Sequence, residues 1–204
     1  MQQVFPTLPS RRNGESFEDR YGFRSDEPCV RFKVLNKGLR ISLGLIASDI
    51  AVPVSEARNF SWKGISVIII ETKMTFLSLP ELPNTVSIWG GGGAAQLLAS
   101  LTWLQNCRVI FWGDIDTHGF HIVSRLRGGL PHLETVMMDH LTLEDCSSIV
   151  VSAREAKYED TSMLTANEHV AYMRVKLGQL LLEQEKIPHS YAVARLVSAT
   201  TIRS

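Results

Sequence analysis

"RVIFWGDIDTHGFHIVSRLR", residues 108–127, passes from an apolar run into two aspartates one residue apart and then into a helix-like pattern. "CRVIFWG" (107–113) reads as a strand and "THGFHIVSRLRG" as the helix after it, with Gly128–Gly129 as its stop. The same strand-then-helix rhythm precedes it. "ISVIIIE" (65–71) is a continuous β-branched run, the kind buried on both faces of a parallel sheet. "TKMTFLSL" follows as a short helix or turn, "PELPN" breaks it, and "TVSIW" (85–89) is the next strand. "GGGGAAQLLASLTWL" is a glycine turn leading into strong helix formers. "LETVMM" (133–138) is a further strand and "LTLEDC" a short helix.

Outside this centre the patterns change. "VRFKVLN" (30–36) alternates apolar and polar residues as a half-buried strand does, and "ASDIAVPVSEA" suggests a short strand and a turn. Beyond a polar stretch at 152–166, "NEHVAYMRVKLGQLLLEQEK" predicts one long amphipathic helix near 167–186, ended by Pro188, with Leu180–Leu182 packed in the core. Residues 1–29 show no period and read as a loose lead-in to one domain over 30–204. Strands alternating with helices predict an α/β fold with a mainly parallel sheet flanked by helices, plus a small β-containing N-terminal extension.

Composition excludes several classes. The 204 residues suit one domain against a prior of ~150 per domain, and 45% hydrophobic content supplies a core. With 21 basic and 21 acidic residues, bulk charge does not draw the chain to nucleic acid, so such a partner needs a local patch. Arg11, Arg12, Arg20, Arg24, Arg31, Lys33, Lys37 and Arg40 make the N-terminal portion locally basic: a DNA backbone path or scattered solvated charges. Cys29, Cys107 and Cys146 form no CxxC pair, which fits a reducing compartment without a disulfide framework. No run approaches ~18 apolar residues, and the first residues lack a secretory pattern, so a soluble cytoplasmic protein with no membrane contact is expected.

Ligands of parallel α/β sheets gather at the carboxyl ends of strands. Glu71 follows one strand; Asp114 and Asp116 follow another, and residues two apart in extended chain face the same side. Three carboxylates without nearby thiol or imidazole suit Mg²⁺ or Mn²⁺ rather than zinc. Plainer roles stay open for each: Asp116 as a helix N-cap, Asp114 as a solvated strand end, Glu71 as a first-turn glutamate. "GGGGAA" lacks GK[ST] and GxGxxG, so it predicts a tight turn, not an ATP or dinucleotide site.

"VIIIETKMTFLSLP", "IWGGGGAAQLL", "FWGDIDTHGFHIVSRLR", "LPHLETVMMDHLTLE" and "LLEQEKIP" occur in this order after the lead-in "FEDRYGFRSDEPCVRFKVLN", and the likeness they carry covers roughly residues 15–197. So arranged, the chain resembles the JetD nuclease subunits of Wadjet plasmid-defence systems. That family implies a Toprim fold similar to that of the topoisomerase VI A subunit. Toprim sites use a glutamate after the first core strand and a DxD pair after a later one; carried over, these are Glu71, Asp114 and Asp116. The resemblance implies Mg²⁺- or Mn²⁺-dependent cleavage of double-stranded plasmid DNA, with SMC-like subunits and a second copy of the chain as partners. Two departures matter: Thr72 stands where the family often has asparagine, and the helical and winged-helix-like N-terminal portions of longer members are not seen.

Asp139, at a further strand end, is expected either behind the metal ligands or as a solvated cap. Lys73 is either a phosphate contact or a plain ion-pair partner, and His118 and His121 either touch DNA, shuttle a proton or do neither. None of Tyr21, Tyr158, Tyr172 and Tyr191 sits in the context of a DNA-attacking tyrosine, so hydrolysis by water is expected. Two rival functions stand beside the nuclease: an inactive or partner-dependent docking module, and a Mg²⁺-dependent phosphatase with Asp114 and Asp116 in a "DIDTHG" loop.

Overall fold

The computed structural model describes residue 21 and residues 27–91, 94–153 and 160–201. Most of the lead-in with Arg11, Arg12, Arg20 and Arg24, the middle of the glycine turn and Tyr158 lie outside the described residues.

The central strand is β3 (Ser66–Ile70), in which every residue is buried. It runs parallel to β4 (Thr85–Trp89) on one side and to β5 (Arg108–Trp112) on the other. Ile70 is level with both Trp89 and Trp112, so the three strands end together. The β-branched run is therefore buried on both faces, as its lack of alternation predicts. Helix α3 (Lys73–Ser78) joins β3 to β4. From β4 the chain passes through α4 (Ala94–Ala99) and a 3-10 turn at Thr102–Asn106, then crosses β3 to form β5. This reversal makes the carboxyl end of β3 a topological switch point, the position where open α/β sheets bind ligands.

The N-terminal extension completes one side. β1 (Cys29–Val34) pairs antiparallel with β4, and β2 (Asp49–Pro53) antiparallel with β1, after helix α1 (Lys37–Ser42). β1 buries Val30, Phe32 and Val34 and turns Arg31 and Lys33 to its other face. The chain then forms α2 (Val54–Ala57), and Phe60, Trp62 and Trp103 pack against Phe32. The sheet order is β2-β1-β4-β3-β5-β6, the last strand being Glu134–Thr135.

Three expectations need correction. Helix α5 (Thr117–Gly129) runs through Gly128 and Gly129, and ends where the Leu130 N–H closes on the Leu126 carbonyl. The strand expected over 133–138 shrinks to β6 (Glu134–Thr135), because Met137 turns into the left-handed region at φ 55°. The long helix near 167–186 is instead α7 (Ala166–Gly178), stopped by Gln179 at φ 49°. Leu180–Leu181 then forms β8, pairing with β7 (Val151–Ser152), and Gln184–Lys186 a 3-10 turn. Leu182 is fully buried, as a core residue should be. Helix α6 (His140–Asp145) lies where expected, and α8 (His189–Thr200) closes the described chain. No described helix is long and apolar enough to cross a membrane.

Candidate functional site

The exit of β3 carries Glu71. Its N–H reaches the Trp112 carbonyl at 3.2 Å, prolonging the β3–β5 ladder by one residue. Glu71 Oε2 in turn accepts the Asp114 N–H at 3.2 Å, so the two strand ends meet at one carboxylate. Gly113 permits this approach: a Cβ there would run into Glu71 Oε2 and the Phe111 ring. Gly113→Ala is accordingly expected to cost about 1–3 kcal/mol by overpacking. Chemical denaturation reads it; an unchanged midpoint would show that the crowding is relieved elsewhere.

Asp116 is the N-cap of α5, its Oδ1 accepting the Gly119 N–H at 2.7 Å. Gly119 must be small for a second reason, since a Cβ would strike the Asp114 carbonyl. The capping role is thus the one the structure displays for Asp116, while its charge still bears on Glu71 and Asp114.

A segment whose role its sequence did not reveal completes the site. Ile115 and Leu182 exchange backbone hydrogen bonds of 2.9 and 3.1 Å, which draws "EQEK" (183–186) onto the strand ends. The buried Gln184 donates its backbone N–H to Asp114 Oδ1 at 2.7 Å and its side-chain Nε2 to the Trp112 carbonyl at 2.8 Å. Its Oε1 faces the Thr72 N–H and Oγ1, each at 3.0 Å. Two donors on one side and a carbonyl on the other fix the amide's orientation. Gln184 therefore ties the end of β3, the end of β5 and the Asp114 carboxylate together. Thr72, the departure from the family pattern, takes part directly.

The electrostatics follow from this crowding. Burial, with the Asp114 charge next, pushes the Glu71 carboxyl up to about 7, against the pull of the Asp114 N–H. Burial also raises Asp114, opposed by the Gln184 N–H and reinforced by Asp116, Glu183 and Glu185. Hard oxygen donors crowded together with uncompensated negative charge are a fitting donor set for a divalent cation such as Mg²⁺. Among the described residues, however, no three Asp, Glu, His or Cys side chains already form a metal-ligating group. Glu71, Asp114 and Asp116 are brought together as an electrostatic cluster, with Asp116 turned into its helix.

Between the ordinary value of 4.5 and about 7, the folded chain keeps a proton on Glu71 that the unfolded chain has lost. Stability therefore falls as pH rises through this window, by about 3 kcal/mol once above it. Without added metal, Glu71→Gln should gain most of that at pH 8 and little near pH 4.5. Urea melts at both pH values check this, and an equal effect at both would refute it.

The remaining expected residues are more peripheral. Asp139 caps α6 through the Thr142 N–H at 2.8 Å, the second of its two expected roles. Lys73 is exposed, its ammonium 5.6 Å from the centre of the Trp89 ring. Trp89 Nε1 donates to the Glu71 carbonyl at 3.2 Å, so Lys73 stands at the rim of the site. His118 is exposed and acts weakly on Glu71, and its ring lies 6.5 Å from that of His121. Nδ1 of His121 is 3.2 Å from the Asp160 carbonyl.

A six-stranded α/β sheet flanked by helices, four of its strands parallel and the other two an antiparallel extension, has the architecture of the Toprim-like class. Within that class it belongs to the family described as Wadjet protein JetD, C-terminal, whose model matches residues 22–196. No curated protein matches the chain.

Proposed function

We propose that this chain is a metal-dependent DNA endonuclease subunit that hydrolyses phosphodiester bonds of plasmid DNA within a Wadjet complex. The observation that carries the reading is the Glu71–Asp114 junction, where the ends of two adjacent parallel strands meet at one carboxylate. Glu71, Asp114 and Asp116 would hold Mg²⁺ or Mn²⁺. When bound, such an ion activates water and neutralises charge developing on the phosphate.

The chain's own residues hold the site ready. Gln184 anchors Asp114 and spans both strand ends, so Glu71 and Asp114 are already held together, whereas Asp116 would have to turn from its cap toward the ion. Hydrolysis by water fits the tyrosines: Tyr172 is buried edge-on to Phe120, and the Tyr191 hydroxyl donates to Asp145 at 2.9 Å. Double-stranded DNA, SMC-like subunits and a second copy of the chain are the partners this function requires. A phosphatase would use Asp114 as nucleophile and leave Glu71 without a role, although Glu71 is the residue held against Asp114.

Incubation with supercoiled plasmid and Mn²⁺, with Wadjet partner subunits added, tests the reading. Nicked or linear product is expected. A phosphoryl group trapped on Asp114 would overturn it in favour of the phosphatase.

A further inference from the structure

We infer that a basic cleft between β1, α1 and the α3–β4 connection binds the phosphodiester backbone of duplex DNA flanking the cut. The inference rests on the nuclease reading and adds a second contact. The cleft has a volume of about 530 Å³, and among the described residues that line it Lys33, Lys37 and Arg40 face a single acid, Glu81.

Two of its cations are fixed in place by neutral groups. Lys33 Nζ donates to the Leu77 carbonyl at the end of α3, and Arg40 to the Ile46 carbonyl. Carbonyls orient a cation without cancelling its charge. The nearby carboxylate of Asp49 is engaged by Arg31 in a two-pronged pair of 2.7 and 2.8 Å. Burial draws the Lys33 ammonium below its ordinary range, with Asp49 opposing and the Arg31 charge adding to the effect. Lys37 is exposed at the start of α1, one helical turn from Arg40. Such a concave set of preorganised, undercompensated cations suits a ligand with repeated negative charge.

Position decides which part of the DNA it would hold. Val34 pairs with Val86 near the amino end of β4, whereas Glu71 contacts Trp89 at its carboxyl end. Three residue steps along β4 are ~10 Å, so the cleft lies at least about three base pairs from the carboxylates, at ~3.4 Å per step of a duplex. The cleft would grip backbone beside the scissile phosphate, not that phosphate itself.

The test is fluorescence anisotropy of the full chain with a short labelled duplex in EDTA, across a salt series. Lys37→Glu should weaken binding about tenfold and reduce the salt slope by about 1. Lys37→Arg should restore wild-type binding, while Lys176→Glu, the same charge change on α7, should leave it unaltered. Wild-type binding in Lys37→Glu, no duplex binding by the wild type, or capture of poly-glutamate instead of duplex would each overturn the inference. Failure of the nuclease reading looks different: Lys37-dependent binding would persist while metal and partners produce no cleavage.

Discussion

Asp114→Asn is expected to lower plasmid cleavage by about a hundredfold or more, the scale on which one preorganised electrostatic group acts. Asparagine keeps the shape of the side chain, and its Oδ1 can still accept the Gln184 N–H that now lies 2.7 Å from Asp114. It carries no charge, so it contributes little to holding Mg²⁺ or Mn²⁺. Stability should hold or rise, because Asp114 is the principal charge pushing Glu71 upward after burial itself. Cleavage by the assembled complex and a urea melt of the same preparation together check this. A loss of activity that merely tracks a loss of folded protein would contradict it.

The second large effect lies away from the site. Arg127→Met should destabilise the domain by about 3–5 kcal/mol, since removing one partner strands the other charge in the interior. Arg127 on α5 and Glu168 on α7 form paired bonds of 2.7 and 2.8 Å, with side chains 8% and 5% exposed. Glu168 also accepts from Thr135 Oγ1 at 2.7 Å and from the Thr165 N–H at 2.8 Å, which joins β6 and the start of α7 to the pair. Burial pushes the Glu168 carboxyl upward, but these donors outweigh it and leave it below the usual range. The loss should therefore shrink as acid protonates Glu168. Urea denaturation at neutral and acid pH measures it; a change under about 1 kcal/mol would mean that the pair behaves like a surface contact.

The strands that frame the site were legible because their apolar runs are continuous and end in chemically distinct residues. Burial on both faces explains "SVIII" and "RVIFW", and the position of Glu71 and Asp114 follows from where those runs stop. The expected α/β layout and its N-terminal extension hold for the same reason. What local pattern could not show was the fate of residues 179–186. Their leucines and glutamates have helical propensity, but pairing with Val151, Ser152 and Ile115, distant in sequence, overrides it. The contact of Gln184 with Asp114 is hidden for that reason. Met137 and Gln179 are likewise non-glycine residues in left-handed turns, which no propensity rule places in advance. For Asp116 the sequence left two roles open, and the geometry displays the cap while keeping its charge in the cluster.

A Glu71–Asp114–Asp116 cluster that serves as a divalent-cation site should bind Mn²⁺, and water-proton relaxation of the purified wild type and Asp114→Asn reads that binding. The wild type is expected to bind and the variant to lose binding while circular dichroism shows both folded. A folded wild type that binds no Mn²⁺, or a variant that binds it equally well, would contradict that role.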